Sequence, residues 1–284
     1  MSRPFRWDVA RREQLGTLVR GEPAESYPEF LGDLRRCCAR VLGAAGDARL
    51  VFVGRSPESL FDYLSGALAD TSWASRLALL NLSMRRRADE PAPVPAGVAA
   101  LRTQLSDISL DPAGIARSPH PIALIDLVDS GETLGTLVDV VVSWAAGAAV
   151  DVRAVRRRLR VVGITERQKN SPNTWRWQQR SDWARAFRPS ALKGVSVPGR
   201  LWDYLGNRQQ KVQRSNPPWR WADPEMRQPP RDPEHIAALR LAVMVFEGAR
   251  MREERGALAG LLADEGAMRY AWLRSLVNEL RAGA

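Results

Sequence analysis

Two carboxylates, Asp126 and Asp129, stand within a few positions of Ser130, Gly131 and Thr133. These side chains suit two tasks carried out side by side. The Ser130 and Thr133 hydroxyls and the backbone around Gly131 can donate to a phosphate, while the carboxylates accept from sugar hydroxyls or take a proton. The residues around them supply the frame. Ile122 to Val128 is an apolar, branched run that reads as a buried strand of a parallel sheet, and Leu134, Leu137, Val138 and Val141 then follow at helical spacing. A strand that breaks at small residues and starts a helix gathers unpaired N–H groups and the positive end of the helix dipole at one point. A plainer reading of the same residues lets Asp129 and Ser130 cap the helix, with Thr133 as its N3 residue.

A second unit of this kind lies upstream. Arg49 to Gly54 is a short apolar strand, and Leu60, Tyr63, Leu64, Ala67 and Leu68 recur at helical spacing after it. Between them, Ser56 is placed as an N-cap with Ser59 at N3, and Pro57 suits the first turn, where a missing N–H costs nothing. Arg55 offers a planar fork for phosphate oxygens. A Gly54-Arg55 turn with its guanidinium in solvent is the alternative.

The segment Ile125-Asp126-Leu127-Val128-Asp129-Ser130-Gly131-Glu132-Thr133 resembles the phosphoribosyl-pyrophosphate (PRPP) loop of type I phosphoribosyltransferases. That loop has a hydrophobic strand, two acidic residues, spacers, and then a Thr/Ser-Gly-x-Thr/Ser cradle. Ser130, Gly131, Glu132 and Thr133 match the cradle, and Asp126 matches the second acid. Asp129 falls where purine-salvage members carry an Asp near the reacting base nitrogen. The departure is Ile125, which stands at the first acidic position. The resemblance is close over about fifteen residues and extends in outline over 30–165. It implies that Ser130 to Thr133 hold a 5-phosphate, that Asp126 orients ribose hydroxyls, and that Asp129 acts as base or electrostatic stabiliser. It also implies that Gly54, Arg55 and Ser56 receive pyrophosphate, with Mg²⁺ between the diphosphate and the ribose hydroxyls. Leu77 to Met84 reads as another strand running into a charged, proline-rich loop. By the same resemblance Arg85, Arg86 or Arg87, with Arg85 foremost, would steady the departing pyrophosphate. A solvated basic turn is the alternative use of that run.

The elements that must position these groups alternate strand and helix over 31–165, ending at Leu159 to Thr165. This implies an α/β fold: a parallel sheet flanked by helices in Rossmann-type, phosphoribosyltransferase-like layering, with ligands at the carboxyl ends of the strands. Residues 1–30 read as a lead segment packed on this core. Residues 166–232 lose periodicity and hold Trp175, Trp177, Trp183, Trp202, Trp219 and Trp221 among arginines, an irregular hood. Its indoles either stack on a nucleobase or other flat acceptor, or anchor the hood to the core. Residues 233–284 read as a helical hairpin, opened by an Asp232 cap and Pro233. Ile236, Leu239, Val243, Phe246 and Met251 lie on one helix, and Met268, Tyr270, Leu273, Leu276, Val277 and Leu280 on the other. The hairpin packs on the core or on a second copy of the chain, as in a homodimer.

Composition sets the limits. A formal charge of +10 favours anionic partners, whether a phosphorylated sugar, a nucleotide or a nucleic acid. The absence of a long apolar run or a signal-like start implies no membrane partner and a cytoplasmic protein. Adjacent Cys37 and Cys38 lie on a helical stretch and are expected to be reduced packing residues, and His120 and His235 form no ligand cluster, so no dedicated zinc site is expected. The function implied is phosphoribosyl transfer from PRPP, or a related phosphorylated sugar, to a specialised acceptor. Two other classes fit less of the chain: a non-catalytic sensor of PRPP or nucleotides, and a basic nucleic-acid binder using Arg176 and Arg220.

Overall fold

The computed structural model describes residues 6–84, 95–167, 177–264 and 268–282. Arg85, Arg86 and Arg87, Trp175 and Arg176 lie outside the described residues.

Short apolar runs, β-branched in β1, β3 and β4, supply four of five parallel strands: β1 (Arg49–Val53), β2 (Leu77–Leu80), β3 (Ile122–Leu127), β4 (Leu159–Glu166) and the more polar β5 (Leu192–Val197). They form one sheet in the order β2-β1-β3-β4-β5. Register pairs Leu50 with both Leu77 and Ala123, and Asp126 with Gly163. Alternate residues feed two separate cores, as a sheet buried on both faces requires. Leu50, Phe52, Ala123, Ile125, Val162 and Ile164 face one core. Val51, Val53, Ile122, Leu124, Leu159 and Val161 face the other.

Helices cover both faces. The first core is closed by α1 (Phe30–Ala45), α2 (Glu58–Ala67), α7 (Pro233–Arg250), α8 (Arg252–Asp264) and α9 (Ala271–Ala282). The second is closed by α3 (Pro95–Asp107), α4 (Pro112–Arg117), α5 (Glu132–Gly147) and α6 (Val152–Arg158). Among the described residues, no helix is long and apolar enough to cross a membrane. Cys37 and Cys38 are buried free thiols in the first core.

Several expectations change in detail. The sheet does not close at β4, because β5 extends it inside the segment read as an irregular hood. Lys193 and Gly194 on this edge strand are exposed, so its sequence lacks the apolar run of the inner strands. Pro57, rather than Ser56, is the N-cap of α2, and no side chain caps that helix. The Ser59 hydroxyl instead accepts from Gln209 Nε2 at 2.5 Å. The C-terminal region has three helices rather than two. Met251 (φ −62°, ψ 142°) separates α7 from α8 and is 65 % exposed, off the apolar face assigned to it. The Asp232 cap is present, its side chain accepting from His235 N. Leu273, Leu276, Val277 and Leu280 pack on the core, while Tyr270 is 45 % exposed. The lead segment is tied in by Arg6, whose guanidinium donates to both Asp62 carboxylate oxygens at 2.7 Å in the interior.

Candidate functional site

In a doubly wound sheet of order 2-1-3-4-5, the crevice forms where the connections diverge, beyond the carboxyl ends of β1 and β3. A cleft of about 740 Å³ lies there. Both loops singled out from the sequence line it: Gly54, Arg55 and Ser56 after β1, and Asp126 with Asp129 to Thr133 at and after β3. The segment after β2, Leu82 to Met84, forms a third wall, and the hood closes the fourth side with Gly206, Lys211, Ser215, Pro217, Trp219 and Arg220. Of the anticipated site residues only Arg85 falls outside the described residues.

The β3 loop is arranged as a cradle. Gly131 is the N-cap of α5 at φ +84°, a left-handed conformation that other residues adopt at a cost, and no side chain caps the helix. The plainer reading of Asp129 and Ser130 as caps is therefore replaced. The first N–H groups of α5 have no carbonyl of their own helix to meet, and Gly131, Glu132 and Thr133 border the cleft. The turn is fastened from outside, where Ser181 Oγ donates to the Ser130 carbonyl at 2.9 Å.

Asp126 is 6 % exposed at the end of β3 and accepts from Leu127 N through Oδ1 at 2.8 Å. Burial raises its carboxyl well above the usual carboxylate range, against the lowering pull of that hydrogen bond and of Lys211. Asp129, by contrast, is exposed on the cleft wall, with no hydrogen bond or ion pair among the described residues. Ile125 is fully buried on the opposite face of β3, in the core that also holds Phe52 and Phe61. An acid there would be unpaired in an apolar interior, which is a physical reason for the departure from the two-acid pattern.

The raised Asp126 value has a consequence for stability. The folded chain keeps a proton that the unfolded chain releases above about pH 4, so stability is lost as pH rises from there toward the folded value. Asp126→Asn removes this loss. Thermal melts should show the variant gaining a few degrees on the wild type as pH rises from about 4. A difference that stays constant with pH would contradict the assignment.

On the β1 side, Gly54 adopts φ +78° and donates through its N–H to Leu80 O at 2.9 Å, which turns the chain toward the cleft. Arg55 is half-buried, and burial lowers its pKa against the attraction of Glu58.

The hood divides its tryptophans between two roles. Trp177 and Trp183 lie against glycine backbone: a Cβ on Gly163 would stand 2.7 Å from Trp177 Nε1, and one on Gly135 would stand 2.5 Å from Trp183 Cδ1. Trp221 is buried and donates toward Ser83 O at 3.4 Å. These are anchors. Trp219, by contrast, is 39 % exposed and lines the cleft. Arg220 is already committed, donating to Asp223 Oδ2 at 2.7 Å.

Sequence reasoning missed Lys211. It is half-buried in the cleft wall, and burial lowers its ammonium to about 8 despite Glu58 nearby. The sequence signal was slight: Lys211 is one of three lysines, with Lys169 and Lys193, in an arginine-rich chain. Comparison of the chain with protein-family models, with curated proteins and with solved structures finds no match.

Proposed function

We propose that this protein is a phosphoribosyltransferase-like enzyme, which binds PRPP or a related phosphorylated sugar and transfers the sugar phosphate to a specialised, flat acceptor with release of pyrophosphate. One observation carries the reading: the Ser130–Thr133 cradle and the Gly54–Ser56 loop share one cleft at the β1/β3 crevice, with Asp126 between them at the end of β3. A ligand with a phosphate, a diphosphate and a polyol carries the groups that the two loops and Asp126 are chemically suited to bind.

Each group then has a task set by its chemistry. The α5 N–H groups with Ser130 and Thr133 hold the 5-phosphate. Asp126 accepts from ribose hydroxyls, whose donors offset the cost of its burial. Arg55 takes pyrophosphate oxygens. Asp129, beside the cradle and free of protein partners among the described residues, takes the acceptor's proton or stabilises positive charge developing on the sugar. Trp219 stacks on the acceptor.

Among the described residues no cluster of three metal-ligating side chains exists. Magnesium beside phosphates needs only one or two carboxylates, and Asp126 and Asp129 at the cleft fit that requirement. Bound there, the ion would neutralise charge on the diphosphate. A cytoplasmic location goes with this reading, since Cys37 and Cys38 are free thiols.

Calorimetric titration with PRPP and Mg²⁺ tests the donor. Binding in about the micromolar range is expected, weakened about tenfold in Thr133→Ala. Absence of PRPP binding would overturn the proposal. Ile125 favours a second reading, a non-catalytic PRPP or nucleotide sensor, which binding without turnover across an acceptor screen would support.

A further inference from the structure

Lys211 follows a π-helical turn at Tyr204–Arg208 and lines the cleft together with the cradle residues. It borders two spaces at once, the main cleft and an adjoining cavity of about 300 Å³, and Arg55 is the other cation common to both. Nζ of Lys211 donates to Leu205 O at 2.5 Å and to Gln209 Oε1 at 3.0 Å. Both acceptors are neutral, and no ion pair joins Lys211 or Arg55 to a carboxylate among the described residues.

The carboxylate whose charge reaches both cations is Glu58, and it is otherwise engaged: it accepts from Val212 N at 2.9 Å and faces Arg6 Nε at 3.8 Å. Two half-buried cations therefore stand together without an ion-pair partner among the described residues, an arrangement that an arriving anion relieves.

We propose that Lys211 and Arg55 form one anion subsite at the junction of the two cavities, and that it holds a phosphoryl group of the ligand's diphosphate end. This rests on the phosphate-binding reading above and adds a residue from the hood to it. It also couples binding to protons. Without an anion Lys211 titrates near 8, under the influence of Arg55 from the β1 loop, Glu58 from α2 and Asp126 from β3. An anion raises that value, so near pH 8 binding takes up protons at Lys211.

The test is calorimetric titration of the full chain with inorganic pyrophosphate and Mg²⁺ and, separately, with ribose 5-phosphate. Each is run at pH 8 in two buffers of different ionisation enthalpy. Lys211→Met should weaken pyrophosphate binding about tenfold or more and leave ribose 5-phosphate within about twofold. Lys211→Arg, which keeps the charge but does not titrate near pH 8, should bind pyrophosphate without proton uptake; it carries the test if the Met variant fails to fold. Pyrophosphate binding by Lys211→Met within about twofold of wild type, or wild-type proton uptake in Lys211→Arg, would overturn the subsite. A wild-type chain that binds ribose 5-phosphate but not pyrophosphate would overturn the subsite alone. One that binds neither would overturn the donor assignment as well.

Discussion

Asp129→Asn should lower turnover by about 10²- to 10⁴-fold, read as pyrophosphate released from PRPP at saturating donor and Mg²⁺. The expectation follows from where Asp129 sits. It is the first exposed residue after β3, directly before the cradle, and it makes no hydrogen bond or ion pair among the described residues. No fold-stabilising partner is lost on substitution, and asparagine keeps the size while removing the charge and the basic site. A loss of turnover with unchanged melting temperature would therefore report chemistry rather than structure. Because the carboxylate is solvent-facing, its action as a base needs close geometry to the acceptor. Unchanged pyrophosphate release would remove Asp129 from the mechanism and leave the cradle as a binding device alone.

Gly66→Ala should destabilise the chain by about 2–4 kcal/mol, although helix propensity alone would have it stabilise by about 1 kcal/mol. Gly66 lies inside α2 where α7 crosses it. A Cβ there would stand 2.1 Å from the Phe246 carbonyl oxygen and 3.1 Å from Ala249 Cβ. The obstacle is backbone, so no side-chain rotation relieves it, and the two helices must separate. Phe246 and the α2 residues Leu60 and Leu64 are buried, so that separation opens apolar surface on both sides. Since α2 begins just after the Arg55 loop, pyrophosphate affinity should fall with it. Urea unfolding decides the matter: a variant as stable as wild type would mean that α2 and α7 are not packed this closely.

Ile122–Leu127 and Leu134–Val141 carry their strand and helix periods openly in the sequence, because inner strands and packed helices must bury nearly every apolar side chain they present. The cradle is legible for a related reason: Ser130, Gly131 and Thr133 are neighbours along the chain, so their meeting at one turn needs no long-range contact. β5 is not legible. An edge strand with Lys193 and Gly194 exposed has only one face to bury, and its pattern fades accordingly. The caps also resist prediction, since the Ser59 hydroxyl is drawn into a tertiary contact with Gln209 and leaves its helix uncapped.

An α/β fold and two glycine-containing strand-to-helix loops are thus written into the chain, since both follow from local hydrophobic periodicity and from backbone chemistry within a few residues. Long-range packing was needed to bring the two loops to one cleft, to place Ile125 in the core, and to select the tryptophan that faces the cleft. Trp177 and Trp219 are alike as sequence. One finds the bare backbone of Gly163 beneath it and the other finds the cleft, and no local pattern records that difference. Lys211 is the clearest case, brought beside Arg55 across a long stretch of chain by the return of the hood over the sheet. Its lowered pKa arises from burial that the folded chain alone creates.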